Sequence, residues 1–162
     1  MQLYGDPQLS EDEGIERISL NLRQSLDFLY TALSNHPAHS KNISRLINMV
    51  ERACDIYLHR ALNDVSPEMT VSIVEEFRAV AETLPANGEG EHILVWAYFI
   101  AAAESSTLEH RLFFMKKLQA LYVSTGFANN LSALNLLKII WAKHSETRWT
   151  YCMGNSSQSF VM

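Results

Sequence analysis

Apolar residues return every three or four positions along most of the chain, and nowhere do they alternate with polar ones over a strand's length. That rhythm predicts helices. The first opens on "SEDE", Ser10 to Glu13, where a hydroxyl followed three residues on by a carboxylate has capping-box spacing. Behind it Ile15, Ile18, Leu22, Leu26, Leu29 and Leu33 share one helical face. Pro37 restricts His36, so this helix is expected to end near "NHP". A second is expected after Ser40, with Ile43, Leu46, Ile47, Val50, Cys54, Tyr57, Leu58 and Ala61 inward. Arg45, Glu51, Arg52 and Arg60 or their neighbours then fall on its opposite face. "NDVSP" is a break, after which Ser66 is placed to cap a third helix with Pro67 at its first position, where a missing N–H costs nothing. Met69, Ile73, Phe77, Val80 and Leu84 would line its inner face.

"LPANGEGE", Leu84 to Glu91, has the proline and glycines of a linker but is short, so it reads as a loop within one domain. Next comes the most apolar stretch of the chain, "HILVWAYFIAAAESS", His92 to Ser106. Its apolar run, Ile93 to Ala103, falls short of the roughly 20 residues that span a bilayer, and its alanines suit close packing between helices. It is expected to be a buried fourth helix, surrounded by the others. "STLE", Ser106 to Glu109, repeats the capping-box spacing and opens a fifth helix, with Leu108, Leu112, Met115, Leu118 and Tyr122 inward and Gly126 as its C-cap. Asn130 starts a sixth, with Leu131, Leu134, Leu137, Ile140 and Trp141 apolar. From Gly154 onward "GNSSQSFVM" reads as a polar tail with an apolar tip. The expected fold is all-α: a single domain over residues 1–153, about six helices around an apolar central one, and a tail over 154–162.

Composition narrows the class. The chain has 162 residues, about one domain's worth, and 48% of them are hydrophobic, enough for a real core. Its net charge is −5, and its pI is about 5.6. An acidic chain gains no counterion release from DNA, and no basic patch with interleaved aromatics is visible, so direct nucleic-acid binding by this chain is not expected. Two distant cysteines, Cys54 and Cys152, make neither a disulfide framework nor a four-cysteine zinc site. They fit buried thiols in a reducing, intracellular compartment. The acidic N-terminus shows no signal-peptide pattern, and no membrane span is expected.

Candidate chemistry is sparse. His36 and His39 in "HPAH" are three apart, but Pro37 predicts a loop there rather than a helical ligand pair, and no third ligand appears at metal-site spacing. No metal or cofactor is expected. His92 and His110, near Glu91, Glu104 and Glu109, would form a general acid–base pair only if they converged in one cleft. Otherwise both histidines are helix-start residues in contact with solvent. Ser105 and Ser106 read as a helix end and an N-cap rather than a nucleophile, and Cys54 as a structural thiol. No phosphate-binding, dinucleotide or nucleophile-elbow motif occurs. No catalytic residue is expected. Trp96, Tyr98, Phe99, Phe113, Phe114, Phe127, Trp141 and Trp149 crowd the second half; beside small alanines they would line a small-molecule pocket or simply form core.

The order of segments is more specific than any single residue. "ACDIYLHRAL" is followed by "EEFRAVAETLP", "EHILVWAYFIAAAESS", "EHRLFFMKKLQALYVSTGFANN" and "ALNLLKIIWAKHSETRWTYCM". From Ala53 to Met153 this resembles the C-terminal part of the fungal-specific transcription factor domain, the helical regulatory region of fungal binuclear zinc-cluster transcription factors. The resemblance is sharpest in "HILVWAYFIAAAES", "LYVSTGF" and the "IIWAKH" to "RWT" ending. It implies an all-α fold, a nuclear setting, and a non-enzymatic role in regulating transcription through protein or effector contacts. It brings no catalytic residues. The zinc cluster itself needs six closely spaced cysteines in a basic segment, which this sequence lacks. The family's helical region also usually extends further on its N-terminal side. The chain therefore reads as a fragment or a truncated relative, and exposed core-type surface would call for self-association or a covering partner. A small-molecule sensor, or an enzyme on the same scaffold, remains the alternative.

Overall fold

The second predicted helix begins at Pro37, not after Ser40. The computed structural model describes residues 20, 23–24, 27, 31, 37–63, 70–85, 88, 90–143 and 148–150, and of 37–40 the backbone alone. In it, α1 spans Pro37–Leu62. The proline stands at the first helical position, where its fixed φ suits the helix and its missing N–H has no intrahelical partner to lose. His39 therefore lies on a helix and not in the expected loop. His36 is outside the described residues.

Of the first predicted helix, Leu20, Arg23, Gln24, Asp27 and Thr31 are described, all helical and exposed. Its apolar positions and the Ser10 capping box lie outside the described residues. Arg23 reaches Asp55 on α1 at 3.3 Å.

The second described helix, α2, spans Val71–Glu82 with Thr70 at its N-cap position. Ser66, Pro67 and Met69 lie outside the described residues. Val74, Phe77 and Ala81 face inward, and Leu84, just past the helix, is buried as well. The fourth predicted helix is in two parts: a 3-10 turn, Glu91–Leu94, followed by α3, Val95–Glu104. Gly90 leads into the turn with φ +82°, a left-handed backbone that calls for glycine; a Cβ there would also press on Leu46 Cδ1, 2.8 Å away. Then come α4, Leu108–Thr125, and α5, Ala128–Ala142.

Every residue of α3 except Trp96 is buried. The helix packs against α1, α4 and α5, and Ala97, Ala101 and Ala102 have no exposure. The alanines let the surrounding helices come close, while Tyr98, Phe99 and Ile100 fill the space between them. Each such large side chain contributes about 1.5–3 kcal/mol by leaving water. The described residues form an all-α, single-domain fold in which α1, α2, α4 and α5 surround this central helix; the sixth predicted helix is the first, of which only those five residues are described.

Two inward faces differ from expectation. On α4, Leu118 is buried as predicted and Met115 packs partly against the core, but His110, Phe114 and Leu121 complete the inner face. Leu108, Leu112 and Tyr122 are exposed instead. The helix carries two apolar rows, and the neighbouring helices cover only one. On α1, Arg60 is buried rather than solvent-facing.

Helix ends follow local chemistry. Gly126 closes α4 with φ +71°, its N–H bonded to the Tyr122 carbonyl. The N-cap of α4 is Thr107, not Ser106: its side chain accepts from the His110 N–H at 3.2 Å. The helix α5 starts at Ala128, two residues before Asn130, which is fully buried and donates its side-chain amide to Thr125 Oγ1.

Candidate functional site: buried polar clusters and an exposed apolar row

Polar groups gather at both ends of α3, because a buried helix must satisfy its terminal backbone groups from its surroundings. At the C-terminal end, Ser105 Oγ donates to the Ala101 carbonyl at 2.7 Å. Trp141 Nε1 of α5 donates to the Ala102 carbonyl at 3.0 Å. Arg111 Nε of α4 donates to the Ser105 carbonyl at 2.9 Å, and its guanidinium lies 5.3 Å from the Trp141 ring centroid. Ser105 is thus a buried helix-end residue.

Glu104 carries the heart of this cluster. Its carboxylate is buried at the negative end of α3, a position that disfavours negative charge. The Arg60 guanidinium of α1 compensates, binding it through Nε and Nη2 as a two-pronged fork. Trp149 Nε1 donates to the second carboxylate oxygen at 2.7 Å. The Trp149 ring lies 6.0 Å from that of Tyr57, which lies 6.4 Å from Trp96. Beside it Arg148 Nη1 donates to the Ala61 carbonyl at 2.7 Å. Residues 148–150 thereby close over the ends of α1 and α3.

At the N-terminal end, buried Glu91 accepts from Tyr98 Oη at 2.9 Å and from Lys117 Nζ of α4 at 3.1 Å. Burial, with the Glu91 charge beside it, pushes the Tyr98 phenol far above its usual pKa. A third group joins α2 to α4. His110 Nε2 lies 2.6 Å from Glu75 Oε2, and Arg78 contacts Glu75, Glu82 and Glu109. The hydrogen bond to Glu109 holds the Arg78 pKa above its ordinary value.

The histidine–glutamate candidates take separate partners. His92 is exposed. His110 is buried and pairs with Glu75, a residue the sequence did not single out. Glu91, Glu104 and Glu109 pair with Lys117, Arg60 and Arg78 respectively. Among the described residues no cluster of metal-ligating side chains forms, and no helix is long and apolar enough to cross a membrane. Cys54 is a free, buried thiol, and burial with the nearby Asp55 and Glu51 charges raises its pKa to about 11. A neutral thiol of that kind is a poor nucleophile at pH 7. Cys152 lies outside the described residues.

Most of the predicted aromatic set packs on itself. Phe77, Tyr98 and Phe114 are fully buried in mutual contact, with Phe113 edge-on to Phe114. Phe127 stands apart, 56% exposed. It belongs to an outward apolar set on the α4–α5 hairpin with Leu108 (72% exposed), Leu112, Tyr122, Val123 (84%), Leu131 and Ile139. The sequence carries the signal for this set as the row Leu108, Leu112, Tyr122, which periodicity alone places inward and the structure leaves exposed.

No curated protein and no solved structure matches the chain. The family model described as the fungal specific transcription factor domain matches residues 6–162, extending on both sides of the resemblance at Ala53 to Met153. That family is one of transcription-factor regulatory regions and not of enzymes. The all-helical fold and the match over nearly the whole chain agree: the chain belongs to the fungal-specific transcription factor domain family.

Proposed function

We propose that the chain is a regulatory module of transcription that works by protein contact, in the nuclear setting its family implies, with the α4–α5 hairpin as the contacting surface. The observation that carries this reading is the outward apolar set. Scattered exposed apolar residues are ordinary, but here they follow helical spacing along α4 and α5. The module acts without catalysis: of the acid–base candidates, Glu91, Glu104, Glu109 and His110 are engaged in separate structural pairs, and His92 is exposed.

Effector sensing is the second reading, with less behind it. The buried aromatics and alanines pack against one another, which leaves Tyr57 and Trp96, half-buried beside buried Trp149, as the partly open aromatic edge.

A tethering experiment tests the proposal. The full chain is fused to an unrelated DNA-binding domain and read out on a fungal reporter. Leu112→Glu and Phe127→Glu are expected to change reporter output severalfold while leaving the helical circular dichroism and urea midpoint unchanged. Unchanged output from both folded variants would refute the hairpin as the contact surface.

A further inference from the structure

We infer that the α4–α5 surface docks an acidic amphipathic segment of a partner protein, a conclusion that rests on the protein-contact reading above. Charge is the argument. The chain as a whole is acidic, with net charge −5, yet from His110 to Lys143 it contains no aspartate or glutamate. The same stretch holds Arg111, Lys116, Lys117, Lys138 and Lys143. No contiguous basic run exists; the hairpin gathers these cations onto two adjacent helices. Arg111 and Lys117 are committed inward, to Ser105 with Trp141 and to Glu91. Lys116, Lys138 and Lys143 are exposed.

Geometry sets apolar residues beside these cations. The Arg111–Trp141 contact marks the side of α4 that faces α5. Leu108 and Met115 lie three residues before and four after Arg111, so they border that seam, and Leu112, four residues after Leu108, lies one row further out on the exposed face. On α5, Leu131, Leu134, Lys138 and Trp141 step back along the facing side at helical spacing. The exposed surface along and beside this seam thus offers leucines at 108, 112 and 131, with Lys138 among them. A helix presenting apolar residues at i, i+3, i+4 and i+7, flanked by carboxylates, complements it in both shape and charge.

A second copy of this chain is a poorer match. Four of its five described acidic groups on α1 and α2 are already paired: Asp55 with Arg23, Glu76 with Arg52, Glu75 and Glu82 with Arg78. Duplex DNA would engage the lysines but leave the leucine row without a partner.

The test uses fluorescence anisotropy with the full chain. The probe is a fluorescein-labelled peptide of about four helical turns, with leucine at helical spacing and glutamate elsewhere. The control replaces every glutamate by lysine. Saturable binding of the acidic peptide is expected, weakened by added salt, and reduced severalfold by Lys138→Glu and by Leu112→Ser, both at exposed positions. No binding, equal binding of the lysine peptide, or insensitivity to both variants overturns the proposal. So does a chain that sediments as a dimer and becomes monomeric with Leu112→Ser. If Leu112→Glu alters the reporter but the acidic peptide does not bind, the partner chemistry is wrong and the contact surface stands. If neither responds, both readings fall.

Discussion

Glu104 is where distant parts of the chain meet: α1 supplies Arg60, the segment after α5 supplies Trp149, and the carboxylate ends α3. A buried pair of this kind adds little compared with a well-packed apolar core, but breaking it is costly, because the survivor keeps its charge out of water. Glu104→Ala removes the carboxylate that both the Arg60 guanidinium and the Trp149 indole N–H bond. The expected loss is about 3–5 kcal/mol, read as a fall in the urea midpoint. Arg60→Met combined with Glu104→Leu should recover most of it, since no charge is then left unpaired. A loss for Glu104→Ala of under about 1 kcal/mol, the range of an exposed pair, would show that the cluster is open to water.

At the scale of the helix, α4 makes the clearest claim. Phe114 and Leu112 are both large and apolar and only two residues apart, yet one is fully buried and the other exposed. Phe114→Ala removes a ring packed against Phe77 and Tyr98, and should cost about 3–5 kcal/mol in stability. Leu112→Ala should change stability by less than about 0.5 kcal/mol, as surface substitutions do. Chemical denaturation of the two variants side by side reads the helix's rotation directly. Comparable losses would mean that the outer row of α4 is covered in the free chain.

For the molecule as a whole, closure depends on residues 148–150. Trp149 joins Glu104 and Tyr57, and Arg148 holds the Ala61 carbonyl, so this short segment ties the C-terminal ends of α1 and α3 together. Trp149→Phe keeps an aromatic ring but loses the indole donor to a charged acceptor. It should lower stability by about 1.5–3 kcal/mol, with a single unfolding transition retained by both circular dichroism and tryptophan fluorescence. An unmoved midpoint would make the segment peripheral. Two transitions would show that it opens separately from the bundle.

The helices themselves were legible because a helix is made locally: apolar spacing, a glycine free to take φ +71° at position 126, and a run apolar on all sides for α3. The rhythm also marked an apolar row at Leu108, Leu112 and Tyr122 on α4. What periodicity does not contain is which of two rows a neighbour will cover. His110, Phe114 and Leu121 face inward because α2 and α3 lie on that side, and a spacing rule reads no neighbour. The polar pairings were beyond it for the same reason. Arg60 and Glu104 are 44 residues apart, His110 and Glu75 are 35 apart, and only the packing of helices brings each pair within a hydrogen bond. The sequence by itself therefore determined the all-α class, the central helix and the family. The tertiary structure decided which charges are buried together and which apolar row is left facing outward, because both are contacts between elements and not properties of any one of them.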